Sequence, residues 1–214
     1  MVIAKAPQPG RSKTRLCPPL TFDDAAGLAR AALHDTLKTI TTMPNTHRVL
    51  VLEGESNVWQ RPGWDVVSQR GDGLDERIAA AFAPMRGPTL LVGMDTPQLS
   101  LSLLEDALDR LARRSADAVI GPAEDGGYWA VGLRRPQAHR IDRLFHTVPM
   151  STRRTFAEQW SRLRSLGLRV SALPELRDVD DFDGAVVVAE EAPASRFACE
   201  LRKLMAAHEM AVVE

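Results

Sequence analysis

One aspartate of this chain, Asp95, stands where a carboxylate could hold a divalent cation against a phosphate. The apolar run at residues 90–92 predicts a short strand of a buried parallel sheet. Gly93 then permits a bend, and Pro97 cannot extend a central strand. Ligands of open α/β sheets bind at the carboxyl ends of the strands. Asp95 is therefore predicted to bind a cation, and the alternative is that it caps a helix beginning near Ser100.

A cluster of cations follows the first predicted strand, which ends at Ala6. Prolines and a glycine in residues 7–19 force a loop, and its three basic residues occupy alternating positions. In an extended loop these side chains could face one way and grip nucleotide phosphates, whereas the alternative is a solvated basic loop. Neither the GxxxxGK[ST] nor the GxGxxG phosphate-binding pattern occurs. The predicted nucleotide- and phosphate-binding residues here are Lys5, Pro9, Gly10, Arg11, Lys13 and Arg15.

The segment GDGLDERIAAAF, residues 71–82, offers a second contact with a nucleotide. Glycine on both sides of Asp72 lets the backbone approach a ligand closely, for which a nucleobase is a candidate. Arg77 could point to a phosphate or pair with Asp75 or Glu76 on the same helix. A plain turn at the start of a helix is the alternative. The predicted ligand-binding residues are Gly71, Asp72 and Arg77.

A hairpin is predicted at residues 117–133, where Asp125 precedes two glycines between apolar strands. The glycines could admit an acceptor or a sugar, and the carboxylate could orient its hydroxyl groups. We therefore predict an acceptor pocket at Gly126, Gly127 and Tyr128, with Asp125 as the candidate base. The alternative is a simple hairpin turn.

An acidic segment lies at residues 175–191, which hold seven acidic residues and one basic residue. Ionised carboxylates are expensive to bury without partners, so its aspartates are expected at helix caps, in solvent or on a cation. The four aspartates concerned are Asp178, Asp180, Asp181 and Asp183.

Strand and helix patterns alternate along the chain of 214 residues. Strands are expected near residues 2–6, 49–52, 66–67, 90–92, 117–121, 128–133 and 168–173. Helices are expected near residues 22–40, 100–114, 138–144, 151–166 and 194–207, and another is expected to begin after Gly73 with Ile78, Ala79 and Phe82 on one face. This order predicts one α/β domain over residues 1–214, with a mostly parallel sheet flanked by helices and an antiparallel hairpin insertion after Gly121.

Composition excludes several classes of protein. A net charge of −1 does not suggest binding to nucleic acid, and no apolar run approaches the length of a membrane span. The five histidines are scattered, which disfavours a zinc site. Cys17 and Cys199 make no disulfide framework, so we expect reduced thiols and a cytoplasmic location. The oligomeric state is not readable from the sequence.

Five segments together resemble a bacterial glycosyltransferase-like family of GT-A fold: KAPQPGRSKTRL, GDGLDERIAAAF, LLVGMDTPQL, AVIGPAEDGGYWAVGL and DVDDFD. Some members of that family are described as arsenosugar-biosynthesis glycosyltransferases. The family is similar in turn to the guanylyltransferases of molybdenum-cofactor and deazaflavin-coenzyme synthesis. The match runs in order over residues 2–183 and implies the sandwich of nucleotide-diphospho-sugar transferases.

The resemblance also implies roles for individual residues. The cations Lys5, Arg11, Lys13 and Arg15 would contact phosphates of a nucleotide or nucleotide sugar. Asp95 would hold Mg²⁺ or Mn²⁺, with Asp178 or Asp180 completing the site, and Asp125, Gly126 and Gly127 would line the acceptor side. The sequence departs from the family pattern at GMDTP, which has one carboxylate where a DxD motif has two.

Three functions are compatible with these residues. The leading hypothesis is metal-dependent transfer of a sugar from a nucleoside diphosphate sugar to a small acceptor. The alternative is nucleotidyl transfer, in which a phosphorylated small molecule attacks a nucleoside triphosphate and pyrophosphate leaves. The third is nucleotide binding without catalysis.

Overall fold

Seven strands form one sheet in the computed structural model, which describes residues 1–213. The order across the sheet is β3-β2-β1-β4-β6-β5-β7. Only β6 runs antiparallel to its neighbours, β4 and β5, which confirms the predicted α/β fold with a mostly parallel sheet. The strands are β1 (Val2–Lys5), β2 (Arg48–Glu53), β3 (Trp64–Ser68), β4 (Thr89–Val92), β5 (Ala118–Pro122), β6 (Tyr128–Leu133) and β7 (Val170–Ala172).

Seven α-helices within residues 1–213 flank the sheet. None of those in residues 1–213 is both long and apolar enough to cross a membrane. One of them, beginning at Phe182, lies in the acidic segment and was not predicted. The helices are α1 (Phe22–Thr41), α2 (Leu74–Phe82), α3 (Leu101–Ala112), α4 (Ile141–Phe145), α5 (Thr155–Ser165), α6 (Phe182–Glu191) and α7 (Arg196–Val213).

Capping residues fix where two of these helices begin. The Ser100 hydroxyl accepts a hydrogen bond from the Leu103 amide at 3.3 Å and so caps α3. The alternative that Asp95 caps this helix is therefore wrong. In the acidic segment, Asp181 caps α6 by accepting from the Gly184 amide at 2.8 Å, as expected for one of its carboxylates.

Alternation along the strands gives the sheet two apolar faces. On β2, Leu50 and Leu52 belong to the cluster that contains residues of α1 and α3. Val49 and Val51 point the other way, into the cluster that contains residues of α2, α4 and α5. Both faces of the sheet are covered, as a parallel sheet requires. A third cluster packs α6 and α7 against α1.

The carboxyl ends of β1, β2 and β4 meet at one edge of the sheet. Lys5 at the end of β1 pairs in register with Glu53 at the end of β2. On the other side of β1, β4 leads into Gly93, whose amide donates to the Trp129 carbonyl at 2.9 Å. Residues that follow these three strands are therefore brought together by the pairing of the sheet.

At the opposite end of the sheet, one carboxylate joins the beginnings of β5 and β7 to the end of β6. Asp117 accepts from Arg134 Nε at 3.1 Å and from Arg169 Nε at 2.9 Å, and its side chain is 18% exposed. The hydrogen bonds from Arg169, with a further contribution from Arg134, hold the pKa of Asp117 well below its usual range.

We expect Asp117→Asn to lower the free energy of unfolding by about 2 kcal/mol at pH 7, because it removes a charge-assisted hydrogen-bond network. A lowered pKa in the folded state stabilises the protein above the ordinary aspartate pKa of about 4. The difference in free energy of unfolding between wild type and variant should therefore be largest near neutral pH and decrease below about pH 4. Urea unfolding at several pH values measures it.

Asp109→Asn is the matched control for this experiment. Asp109 pairs with Arg113 on the exposed surface of α3, with side chains 59% and 79% exposed. Exposed pairs of this kind contribute at most about 0.5 kcal/mol, so this variant should remain close to wild type. Equal effects of the two substitutions would contradict the role given to Asp117.

Candidate functional site

A cavity of about 610 Å³ opens at the carboxyl edge of β1 and β4, beside the start of β6. Its floor is apolar and its rim is charged. Nine of the predicted site residues line it: Lys5, Arg11, Lys13, Arg15, Asp72, Arg77, Asp95, Tyr128 and Asp180.

An ion pair between Lys13 and Asp95 joins the opening loop to the end of β4. Lys13 Nζ lies 3.0 Å from Asp95 Oδ1, and the lysine side chain is only 12% exposed. The same ammonium donates a hydrogen bond to the Val179 carbonyl. The Val179 amide in turn donates to the Asp95 carbonyl at 3.1 Å, so three distant segments converge here.

The backbone of the opening loop is strained at Lys13. Its φ of 53° and ψ of 37° lie in the left-handed region. For a residue with a side chain this conformation costs about 1 kcal/mol or more. The short 3₁₀ turn at Thr14–Leu16 follows directly and buries Leu16 completely, which anchors the loop. Backbone strain of this kind is concentrated at functional sites.

The other loop cations lie closer to solvent. Arg15 pairs with Asp180, and its side chain is 74% exposed. Arg11 is exposed and has no carboxylate partner among the described residues. Pro9 and Gly10 are exposed as well and lie outside the lining of the cavity. The alternating cations thus share one cavity, while the two residues before them shape the loop.

Glu53 is a site residue that the sequence analysis missed. Its Oε2 lies 2.5 Å from Arg77 Nη1 and 3.5 Å from Lys5 Nζ. Burial alone would raise the pKa of the Glu53 carboxyl, but Arg77 and Lys5 together lower it below its usual value. Glu53 follows an apolar strand just as Lys5 does, and this position was the signal available in the sequence.

The segment at residues 71–73 is held in place by side chains of α2, the helix that follows it. Arg77 Nε donates to the Gly71 carbonyl at 3.0 Å, and the Asp72 amide donates to Glu76 Oε2 at 2.9 Å. Arg77 therefore pairs with Glu53 rather than with Asp75 or Glu76, the partners considered from sequence. The Asp72 side chain faces the cavity, whereas Gly71 lies outside its lining.

The predicted acceptor segment forms a tight turn. Asp125 Oδ1 accepts from the Gly127 amide at 2.7 Å, which fixes the carboxylate. Gly126 has a φ of +89°, and its carbonyl accepts from the Phe156 amide at 2.9 Å. Tyr128 lines the cavity with its hydroxyl 3.8 Å from Met150 Sδ, and burial raises the pKa of Tyr128.

A second carboxylate, Asp178, lies within electrostatic reach of the ion pair. Burial raises the pKa of Asp178 to about 6, and the carboxylates of Asp125 and Asp95 add to the rise. Lys13 opposes the rise because its positive charge favours the ionised form. Of the two late aspartates predicted for the cation, Asp180 lines the cavity and pairs with Arg15. Asp178 is not among the lining residues, and its link to the Lys13–Asp95 pair is electrostatic.

These residues fit a divalent cation that is shared with a phosphate ligand. Among residues 1–208, whose side chains the structure describes, no three His, Cys, Asp or Glu side chains are arranged to hold an ion by themselves. Asp95 Oδ1 is nevertheless buried and accepts no hydrogen bond, although the Lys13 ammonium touches it. Mg²⁺ commonly uses one or two carboxylates and takes its other ligands from phosphates and water. Asp95 is the residue that would hold it, and Asp178, which is electrostatically coupled to Asp95, is the candidate second carboxylate.

Comparison with known proteins identifies the family. The sequence profile of DUF2064, described as an uncharacterised protein conserved in bacteria, matches residues 36–152. The chain belongs to the DUF2064 family. This DUF2064 chain is also 31% identical over 178 residues to a 2-phospho-L-lactate guanylyltransferase of Halomicrobium mukohataei, covering 83% of the chain and 78% of that relative.

Two solved structures share the fold of this chain. A provisionally named nucleotide-diphospho-sugar transferase of Desulfovibrio desulfuricans G20 is 27% identical, with a TM-score of 0.83 over 96% of this chain and 94% of that one. The manganese complex of Rv0371c from Mycobacterium tuberculosis is 19% identical, with a TM-score of 0.52 over 88% and 96%. The DUF2064 chain is a transferase, and the predicted resemblance is confirmed.

The turn at Gly126 gives a test of the geometry on the acceptor side. A Cβ added there would lie 2.2 Å from the Arg153 carbonyl oxygen, which is backbone and cannot yield easily. We expect Gly126→Ala to lower the free energy of unfolding by about 3 kcal/mol through overpacking and left-handed strain. Chemical denaturation measures the change.

Gly10→Ala is the matched control. Gly10 also has a positive φ, +69°, but nothing lies within 4 Å of an added Cβ. Left-handed strain alone predicts a loss of about 1 kcal/mol. If Gly126→Ala were no worse than Gly10→Ala, the close packing of the turn against residue 153 would be refuted.

Proposed function

We propose that this DUF2064 protein is a nucleotidyltransferase, which joins a nucleoside monophosphate from a nucleoside triphosphate to a phosphorylated small molecule. The observation that carries the proposal is the contact between Lys13 and Asp95, which sets the cationic loop beside the carboxylate that follows β4. A triphosphate in this cavity would meet both groups at once.

The opening loop is suited to a leaving pyrophosphate. Arg11, Lys13 and Arg15 supply three positive charges to the lining of the cavity. Pyrophosphate gains negative charge as its bond to the α-phosphate breaks, and fixed cations stabilise that charge in the transition state. A bound Mg²⁺ or Mn²⁺ would supply further neutralisation of the phosphates.

The acceptor side also favours this reaction. A phosphate oxygen is already ionised at neutral pH and needs no strong base, whereas a sugar acceptor hydroxyl does. Asp125, the candidate base, commits Oδ1 to the Gly127 amide and is exposed to water. Its role is therefore better explained as shaping the acceptor turn with Gly126 and Gly127.

Glycosyl transfer is the second candidate. It was the leading hypothesis from the sequence, and the solved structure from Desulfovibrio desulfuricans, with a TM-score of 0.83, supports it by its description. The comparison with a guanylyltransferase favours nucleotidyl transfer at least as well. The reaction products distinguish the two reactions, because only nucleotidyl transfer releases pyrophosphate.

The test is an assay of pyrophosphate release. The purified protein is incubated with Mn²⁺, each nucleoside triphosphate in turn, and a panel of phosphorylated hydroxy acids. GTP and 2-phospho-L-lactate are the first pair to try, because the relative's description implies them. Release that depends on the acceptor supports the proposal. Sugar transfer from nucleoside diphosphate sugars without pyrophosphate would support the second candidate, and no turnover of either would favour binding alone.

We expect Asp95→Asn to reduce kcat/KM for the nucleotide about 100-fold or more, because it removes the carboxylate nearest the phosphates and the cation. Pyrophosphate release and thermal unfolding are measured on the same sample. Asp109→Asn, on the exposed face of α3, is the matched control and should retain wild-type activity. Full activity of Asp95→Asn would reject the assigned site.

The cytoplasmic location predicted from the cysteines remains part of this proposal. Both Cys17 and Cys199 are free thiols in the structure.

A further inference from the structure

Lys13 is the least exposed of the paired cations around the cavity. Its side chain is 12% exposed, against 21% for Arg77, 69% for Lys5 and 74% for Arg15. A lysine ammonium is strongly hydrated in water and is rarely buried unless other polar groups replace that water. Protein oxygens must therefore surround most of its charge.

The oxygens around Lys13 are those a divalent cation would use. Nζ contacts Asp95 Oδ1 at 3.0 Å and donates to the Val179 carbonyl, while Asp178 lies within electrostatic reach. Carboxylate and carbonyl oxygens are the preferred ligands of Mg²⁺ and Mn²⁺. An ammonium and a divalent ion repel each other, so they cannot share these oxygens at close range.

We propose that the Lys13 ammonium occupies the divalent-cation position in the free protein and leaves it when nucleotide phosphates bind the ammonium. Lys13 then exchanges a carboxylate for a phosphate, and Asp95 exchanges the ammonium for the metal ion. Metal and nucleotide consequently raise each other's affinity, as coupled ligands must. The part of the proposal in which nucleotide displaces the ammonium rests on the proposed function. The part in which the Lys13 ammonium occupies the cation position of the free protein does not.

The loop allows this exchange. Lys13 lies between Arg11 and Arg15 in the loop, and all three line the same cavity, so phosphates bound by the arginines would be within its reach. Its flexible four-carbon stem can redirect the ammonium while the backbone remains anchored by the buried Leu16. No rearrangement of the sheet is needed.

The experiment measures binding of Mn²⁺ alone, without nucleotide, by electron paramagnetic resonance. We expect Lys13→Met to bind Mn²⁺ about tenfold more tightly than wild type, within the usual range of such couplings. Lys5→Met is the matched control, since it removes the same charge from the same cavity but from a lysine paired with Glu53. Lys5→Met should change the affinity for Mn²⁺ about threefold or less, because the exposed charge of Lys5 is screened by solvent and salt.

Two more variants make the result specific. Lys13→Arg keeps the charge and should bind Mn²⁺ as weakly as wild type. Adding Asp95→Asn to Lys13→Met should abolish the gain in Mn²⁺ affinity, because it removes the carboxylate that the ammonium no longer occupies. Circular dichroism checks folding, and Lys13→Gln replaces Lys13→Met if the latter does not fold.

Mn²⁺ affinity of Lys13→Met equal to that of wild type or of Lys5→Met would overturn the proposal. That result is independent of pyrophosphate release by wild type, whose absence would instead overturn the proposed function. The two ideas can therefore fail separately.

Discussion

The ion pair between Lys13 and Asp95 is the interaction on which the site depends. It connects the loop after β1, the turn after β4 and the segment before α6 through one buried ammonium. The sheet makes this possible, since β1 and β4 are adjacent parallel strands that end at the same edge. The strained backbone of Lys13 is the conformational cost of aiming that side chain inward.

Charge balance explains how so many cations can stand around one cavity. Glu53 forms ion pairs with Lys5 and Arg77, Asp95 pairs with Lys13, and Asp180 pairs with Arg15. Without these carboxylates, the cations would repel one another and destabilise the folded protein. The same pairing means that an anionic ligand must compete for every cation of the cavity that already has a carboxylate partner, which favours a ligand accompanied by its own divalent ion.

Much of the fold could be predicted from the sequence, because strands and helices are recorded in short-range patterns of apolar residues and caps. The strand at residues 128–133 and the start of α1 at residue 22 were located as the structure has them. The helix α6 was missed, because its first turn lies among aspartates that were compatible with solvent exposure or cation binding as well as with a helix cap. Glu53 and the partner of Arg77 were missed because both depend on which strands become neighbours.

The sequence by itself determined the α/β class, the resemblance to a transferase family and the chemical types of the site: a cationic loop, a lone mid-chain aspartate and late carboxylates. Only the tertiary structure decided that the Lys13 ammonium reaches the Val179 carbonyl while Asp180 pairs with Arg15. The physical reason is that periodicity and capping act over a few residues, whereas these pairings span more than 160 positions along the chain. Strand order and packing alone set which of those distant charges meet.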